Sequence, residues 1–319
     1  MHKRWNNKYS VFISVVCLLL FACLVAGCTT SQPITTPPAT TVPVQPTTTT
    51  VVSTPAPTTV VPSATTAASV TATPAPTYTP SEKTLVVFTA ASLKGVSGKL
   101  GTAFSAMYPG HSAVFNLDGT QALKTQVENG AYADVFISAS NTYTNTLKSE
   151  AYFINSTVKP LTTNYVIVIL PASNPGNIKT LADLAKPGVK IAMEDKTVPA
   201  GTATFAVLAN LAKSTYSQDW NTSVFKNVVT YETSEPGVAT KVSLGEVDAG
   251  FVYESTYTGS PKDSYIAITI PKTDNYLQTY TIGVLQQTHN NGAAQEFEDF
   301  MLSSVGQQIL KDYGFRPVS

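Results

Sequence analysis

An α/β fold in two lobes is what the sequence predicts, and three observations carry it. From residue 84 onward, short valine-rich runs alternate with stretches whose apolar residues recur every three or four positions, the pattern of strands leading into helices. The alternation comes as two runs, before and after about residue 164, which divides the folded part into lobes facing each other across a cleft. All three cysteines, Cys17, Cys23 and Cys28, fall in the first 28 of the 319 residues. The remainder therefore has no disulfide, thiolate metal site or thiol nucleophile. At roughly 240 residues it is long enough to be held by an apolar core instead.

The chain opens with an address. Lys3, Arg4 and Lys8 precede an apolar run, 11–25, and then Ala26-Gly27-Cys28. Charged, apolar and small-residue parts in that order are the layout of a secretory signal peptide. The run falls short of the roughly 20 apolar residues of a permanent spanning helix. Leu24-Val25-Ala26-Gly27-Cys28 resembles a lipobox, so 1–27 reads as the signal peptide and Cys28 as the lipid anchor on the outer face of the membrane. An ordinary signal peptide or an uncleaved anchor, the alternatives, also places the domain outside the cytoplasm.

Residues 28–82 form a linker. Between 29 and 80, 30 of the 52 residues are Thr or Pro and none is charged. Such a segment has too few large apolar groups to offset the entropy of ordering it, and proline favours extended conformations. Its threonines suit either a plain tether or a stalk with O-linked sugars.

Residues 81–319, the folded domain (83–319) and the two residues ahead of it, hold all 20 acidic residues and 17 of the 20 basic ones. A net charge near −3 argues against a nucleic-acid surface. Residues 84–88 form a buried strand, and Leu93, Val96, Leu100, Ala103, Phe104 and Met107 mark the apolar stripe of the helix after it. Residues 114–117 give the next strand, followed by a helix through Leu123 and Val127 that ends at Asn129-Gly130. Residues 135–137 are a third strand and 165–170 a fourth. Beyond them, strands at 189–192, 228–231 and 249–253 flank helical stretches at 202–213 and 237–244. Alternation of this kind predicts parallel sheets covered by helices.

Four turns share one character. Phe88-Thr89-Ala90-Ala91-Ser92, Asp118-Gly119-Thr120, Val198-Pro199-Ala200-Gly201-Thr202 and Ser234-Glu235-Pro236-Gly237 each carry a small or hydroxyl residue where a helix begins. A helix start presents free backbone N–H groups and partial positive charge, the elements of an anion site. Ser, Thr, Gly and Pro are also ordinary residues at helix starts. Four turns from both halves could meet on one ligand only across the cleft.

The strings around these turns closely resemble the substrate-binding proteins of molybdate ABC transporters. The matching segments are Val87-Phe88-Thr89-Ala90-Ala91-Ser92-Leu93, Gly130 to Ala139, Val198-Pro199-Ala200-Gly201, Gly245 to Tyr253 and the ending Tyr313-Gly314-Phe315. The resemblance runs from about residue 84 to 316. It implies a type II periplasmic-binding-protein fold, two α/β lobes with a hinge and an interlobe cleft. Lobe 1 would comprise about 83–164 and 278–319, and lobe 2 about 165–277. It also implies a monomer that closes on molybdate or tungstate, needs no cofactor, and hands the ion to an ABC permease and its ATPase.

Carried over residue by residue, the resemblance makes Ser92 a donor through hydroxyl and backbone, with Thr120 in the place of a second serine. Ala200 and Glu235 would offer backbone N–H groups, Tyr253 its phenol, and Asp134 would brace lobe and hinge backbone. A related archaeal group bonds the metal through two carboxylates. Here Val198 stands where one would be, and Glu235 corresponds to the other, which implies a four-coordinate ion held by hydrogen bonds. Rival readings are a binder of another oxyanion such as sulfate, a hydrolase using Ser92, and an adhesive surface lipoprotein. The hydrolase lacks a G-x-S-x-G elbow, and neither His111 nor His289 lies in a motif turn. Asn155-Ser156-Thr157 and Asn221-Thr222-Ser223 match glycosylation sequons, which also occur by chance.

Overall fold

In the computed structural model, which describes residues 77–79 and 81–318, the valine-rich run that opens the domain is β1 (Thr84–Ala90), buried at every position after Thr84. The signal peptide, Cys28 and nearly all of the linker lie outside the described residues. A short 3-10 turn, Ala91–Leu93, leads into α1 (Lys94–Met107). Val96, Leu100 and Phe104 form its buried stripe, each worth roughly 1.5–3 kcal/mol in removed apolar surface. Met107, the last member expected there, is exposed. Then follow β2 (Ser112–Asp118), α2 (Thr120–Glu128), β3 (Val135–Ser138) and α3 (Asn141–Ser149).

The fourth strand is longer than its apolar centre. β4 runs Lys159–Pro171, taking in the polar stretch ahead of Tyr165. β5 (Ile191–Glu194) begins two residues after the expected position. It is followed by α4 (Pro199–Ser214), α5 (Gln218–Lys226), β6 (Val228–Glu232), α6 (Glu235–Ser243), β7 (Ala249–Tyr253) and α7 (Glu254–Thr258). β8 (Tyr265–Thr269), β9 (Leu277–Val284), α8 (Asn291–Leu302) and α9 (Ser304–Asp312) complete the order. No helix among the described residues is long and apolar enough to cross a membrane.

The strands are ordered β2-β1-β3-β9-β4-β7-β5-β6, with β8 also on β4. The expectation of parallel sheets is corrected here. β1 is parallel to β2 and β3, and β5 to β6 and β7, but β9 runs antiparallel to β3 and β4, and β4 antiparallel to β7 and β8. Apolar runs encode burial and not strand direction, so β4 reads like its parallel counterparts.

β4 pairs with β9 as far as Tyr165 and with β7 from Val166. It thus changes neighbours close to the crossing expected near 164, and the chain returns to β9 near 277. Polar side chains fix this passage. Asn164 Nδ2 donates to the Ser255 hydroxyl at 2.8 Å, and Asn275 bonds both the N–H and the carbonyl of Val166. Arg316, bonded to the Thr163 backbone, forms an ion pair with Glu254 at 2.6 Å.

Candidate functional site

Five strands from two parallel sets, β1 and β2 in one and β5, β6 and β7 in the other, end on one region. Ser92 follows the end of β1, Thr120 that of β2, Ala200 that of β5, and Glu235 that of β6, while Tyr253 is the last residue of β7. Ligands of open α/β sheets bind outside the carboxyl ends of their strands for this reason: the helix starts converge there. The structure brings all five residues to the wall of a single cavity. At ≈ 20 Å³ it exceeds only slightly the roughly 10–15 Å³ that admits one water. A compact ion fits such a space and a metabolite of several carbons does not.

The helix starts facing the cavity differ from four others. α3, α5, α8 and α9 are capped by the side chains of Ser140, Ser217, Asn290 and Ser303. The 3-10 turn at Ser92, α2, α4 and α6 have no side-chain cap. Their first N–H groups, which no carbonyl inside the helix can accept, are left for a ligand. Proline at the first position of α4 removes one such donor and fixes the backbone, so Ala200 presents the first N–H. Gly201 is required beside it: a Cβ there would lie 2.0 Å from the Asp195 carbonyl oxygen.

The side chains supply further donors. The Ser92 and Tyr280 hydroxyls share one hydrogen bond of 2.8 Å, which leaves one hydroxyl proton uncommitted. The Thr120 hydroxyl accepts from the Ala139 N–H at 3.1 Å and keeps its own proton to give. Tyr253 donates to Gln278 over 3.3 Å, long for an O–H bond and easily redirected. Burial raises the phenols of Tyr253 and Tyr280 well above their ordinary range, so both stay protonated donors. Among the cavity-lining residues none is basic. Lys94, close in sequence, lies on an adjoining groove.

One carboxylate lines the cavity. Glu235, the first residue of α6, is buried, and its Oε1 accepts from the Tyr253 N–H at 2.7 Å and the Thr256 hydroxyl at 2.5 Å. Its Oε2 is buried without a hydrogen-bond partner. Burial pushes its carboxyl up to about 7, against the pull of those two bonds. Glu194, at the end of β5, is fully buried with both oxygens unpartnered, and burial and then the Glu235 charge raise it well above the usual carboxylate range. Val198, where the archaeal pattern has a second carboxylate, is an apolar part of the wall. Among the described residues no cluster of three or more His, Cys, Asp or Glu is arranged to hold a metal.

Asp134 lies away from the cavity. It accepts from the Val86 N–H, the Tyr132 hydroxyl and the Thr288 hydroxyl, bracing β1, β3 and the segment after β9. The passage between the sheets is held by Asn164 and Asn275 instead. Sequence reasoning missed Tyr280, Glu194 and two polar links over the cavity region. In the latter, Gln121 Nε2 donates to the Thr233 carbonyl at 2.8 Å, and the Tyr143 hydroxyl to the Thr197 carbonyl at 2.6 Å. None has a periodic or motif signal. Hydroxyl and amide spacing around a turn could have suggested Gln121 alone.

Residues 85–316 match the family described as bacterial extracellular solute-binding protein. A molybdate-binding protein of Mycobacterium bovis is 30% identical over 237 residues, covering 74% of this chain and 86% of that protein. The substrate-binding domain of a putative molybdenum ABC transporter from Clostridium difficile superposes with a TM-score of 0.57 at 28% identity, over 74% of this chain and 99% of that one. The sulfate-binding protein of Mycobacterium tuberculosis gives 0.66 at 18% identity, over 74% and 88%. At that identity the likeness is one of fold: two α/β lobes with a cleft between them.

Proposed function

The chain belongs to the family of bacterial extracellular solute-binding proteins, and from that premise we propose that it is the substrate-binding component of a molybdate ABC transporter. It captures molybdate in the interlobe cleft and delivers it to a membrane permease driven by its ATPase. One observation carries the reading: four uncapped helix starts and the hydroxyls of Ser92, Thr120 and Tyr253 line one ion-sized cavity with no basic side chain. A tetrahedral dianion offers only acceptors, and this wall offers chiefly donors. Hydrogen bonds to a charged group contribute roughly 1.5–3 kcal/mol each. Helix dipoles favour the negative charge without a counter-ion that release would have to break.

The finer points belong to the same proposal. Ser92, Thr120 and Tyr253 donate through hydroxyls and Ala200 and Glu235 through backbone N–H groups. Tungstate, of the same shape and charge, is bound as molybdate is. The protein acts as a monomeric binder rather than a hydrolase, since Ser92 is bonded to a phenol with a high pKa and to no base. Cys28 fixes the mature chain to the outer face of the membrane, and the Thr/Pro linker holds the domain at high local concentration near the permease while letting it turn.

Calorimetric titration of the mature chain from residue 28 with molybdate, tungstate, sulfate and phosphate tests the assignment. Stoichiometric binding of the first two is expected. Saturation at about 100 Kd should add about 2.7 kcal/mol of stability. Sulfate, which shares the charge and is the ligand of one fold relative, is the rival reading. It is smaller, so donors spaced for molybdate are left with long bonds. Binding of sulfate alone overturns the assignment.

A further inference from the structure

A carboxylate on the wall of an anion cavity is an electrostatic contradiction unless it carries a proton. The geometry says which oxygen would hold it. Glu235 Oε1 already accepts two hydrogen bonds, from the Tyr253 N–H and the Thr256 hydroxyl, so its lone pairs are committed. Oε2 is buried and has no partner. An ionised carboxylate would leave a bare charge there, next to a bound dianion; a protonated one places an O–H donor at that position. We propose that Glu235 Oε2 carries a proton in the complex and donates it to the bound oxyanion, so that capture of one dianion takes up one proton.

This inference rests on the molybdate-binding reading and adds a specificity residue and a proton to it. The surroundings favour the neutral acid. The titratable groups near Glu235 and its helix are Glu194 on β5, Glu232 on β6, Tyr253 on β7 and, from a strand not packed on α6, Tyr280 on β9. Glu194 and the two phenols have raised pKa values and none of them can carry positive charge, so none balances a Glu235 charge. Lys241 on α6 pairs with Glu246 and lies near Glu232. Without ligand, burial already pushes Glu235 up to about 7, and a neighbouring dianion raises it further. The balance is simple: ionised protein, proton and dianion combine to give neutral acid with bound dianion. No bond to the metal forms.

A specificity consequence follows. With Glu235 neutral, the groups named on the wall all serve as donors, which suits fully deprotonated oxyanions. Hydrogenphosphate carries an O–H of its own and needs an acceptor. Only an ionised Glu235 supplies one.

The experiment is calorimetry of the mature chain with sodium molybdate from about pH 6 to 9, where the ion stays a dianion, in buffers of differing ionisation enthalpy. Wild-type Kd should be nearly flat below about pH 7 and rise about tenfold per unit well above it, with proton uptake approaching one per ion. Glu235→Gln keeps an acceptor for Tyr253 and Thr256 and puts an amide donor in place of the acid. Its Kd should be independent of pH, with no proton uptake. A flat wild-type profile, or a Glu235→Gln profile as steep as wild type, overturns the proton linkage while leaving molybdate binding intact. Failure of both proteins to bind at every pH overturns the binding assignment, and this inference with it. A thermal melt of each protein without ligand checks that both are folded.

Discussion

Gln121, on the first turn of α2, donates its side-chain amide to the carbonyl of Thr233, ahead of α6, at 2.8 Å. The Tyr143 hydroxyl makes the matching link to the Thr197 carbonyl, ahead of α4. Each joins a helix of the β1–β3 half to a turn of the β5–β7 half. Neither side chain belongs to the donor set of the cavity. Their place is to hold the halves together around whatever fills it.

The first prediction follows from these links. Gln121→Ala and Tyr143→Phe should each weaken molybdate binding by roughly 0.5–1.5 kcal/mol, the usual net value of one neutral hydrogen bond. The loss should fall mainly on the dissociation rate, since closure follows encounter. Stopped-flow fluorescence separates the two rates. An unchanged dissociation rate in the double variant would show that the links do not act as a latch.

Removing cavity donors should cost more. Ser92→Ala and Tyr253→Phe each delete one hydroxyl that faces a buried anion while keeping shape. A loss of roughly 1.5–3 kcal/mol, about ten- to hundredfold in Kd, is expected for each. Unfolding midpoints without ligand should move little for Tyr253→Phe, whose bond to Gln278 is long. Unaltered affinity in both variants would mean that the ion sits elsewhere.

What the sequence could and could not reveal has a physical pattern. β1 and β7 are legible because they are buried on both faces and so are uninterrupted apolar runs. β9 reads Leu-Gln-Thr-Tyr-Thr-Ile-Gly-Val, and polar residues interleave with its buried Tyr280 and Ile282, so no run announces it. α3 buries only Thr144 and Leu147 and shows no stripe. The cavity turns were legible as helix starts, but their convergence depends on strand order, and that is set by antiparallel β4 and β9. Glu235 could be placed from its turn. That one of its carboxyl oxygens is spoken for and the other is free could be learned only from where Tyr253 and Thr256 fall.

A third prediction concerns the backbone at α4. A Cβ at position 201 would lie 2.0 Å from the Asp195 carbonyl oxygen and 2.8 Å from that of Glu194. Gly201→Ala must push the start of α4 away from β5, at a cost of about 1–3 kcal/mol in stability. The same shift moves the Ala200 N–H, so affinity should fall too. Gly98, with nothing within 4 Å of an added Cβ, sits inside α1. Gly98→Ala should therefore stabilise the fold by about 0.5–1 kcal/mol and leave affinity alone. Urea titration and calorimetry on the pair separate a local clash from a general intolerance of substitution.

The last prediction uses Glu194. Its carboxyl is fully buried with both oxygens unpartnered, and burial, followed by the charges of Glu235 and Glu232, raises it well above its ordinary value of 4.5. A carboxyl raised in the folded state keeps a proton that the unfolded chain releases. The native state then binds more protons, so the stability gained is complete below about pH 4.5 and declines as pH rises towards the folded value. For Glu235 that decline spans about 4.5 to about 7; for Glu194 it runs upward from about 4.5 to its own raised folded value. The ligand-free domain should therefore lose stability from pH 5 to pH 8. Glu194→Gln, which cannot ionise, should lose less over the same interval, and the gap between the two curves should widen with pH. Parallel urea titrations at several pH values measure that gap directly. A constant difference between the curves would mean that Glu194 is ionised in the native protein and that its charge is compensated by a group this geometry does not contain.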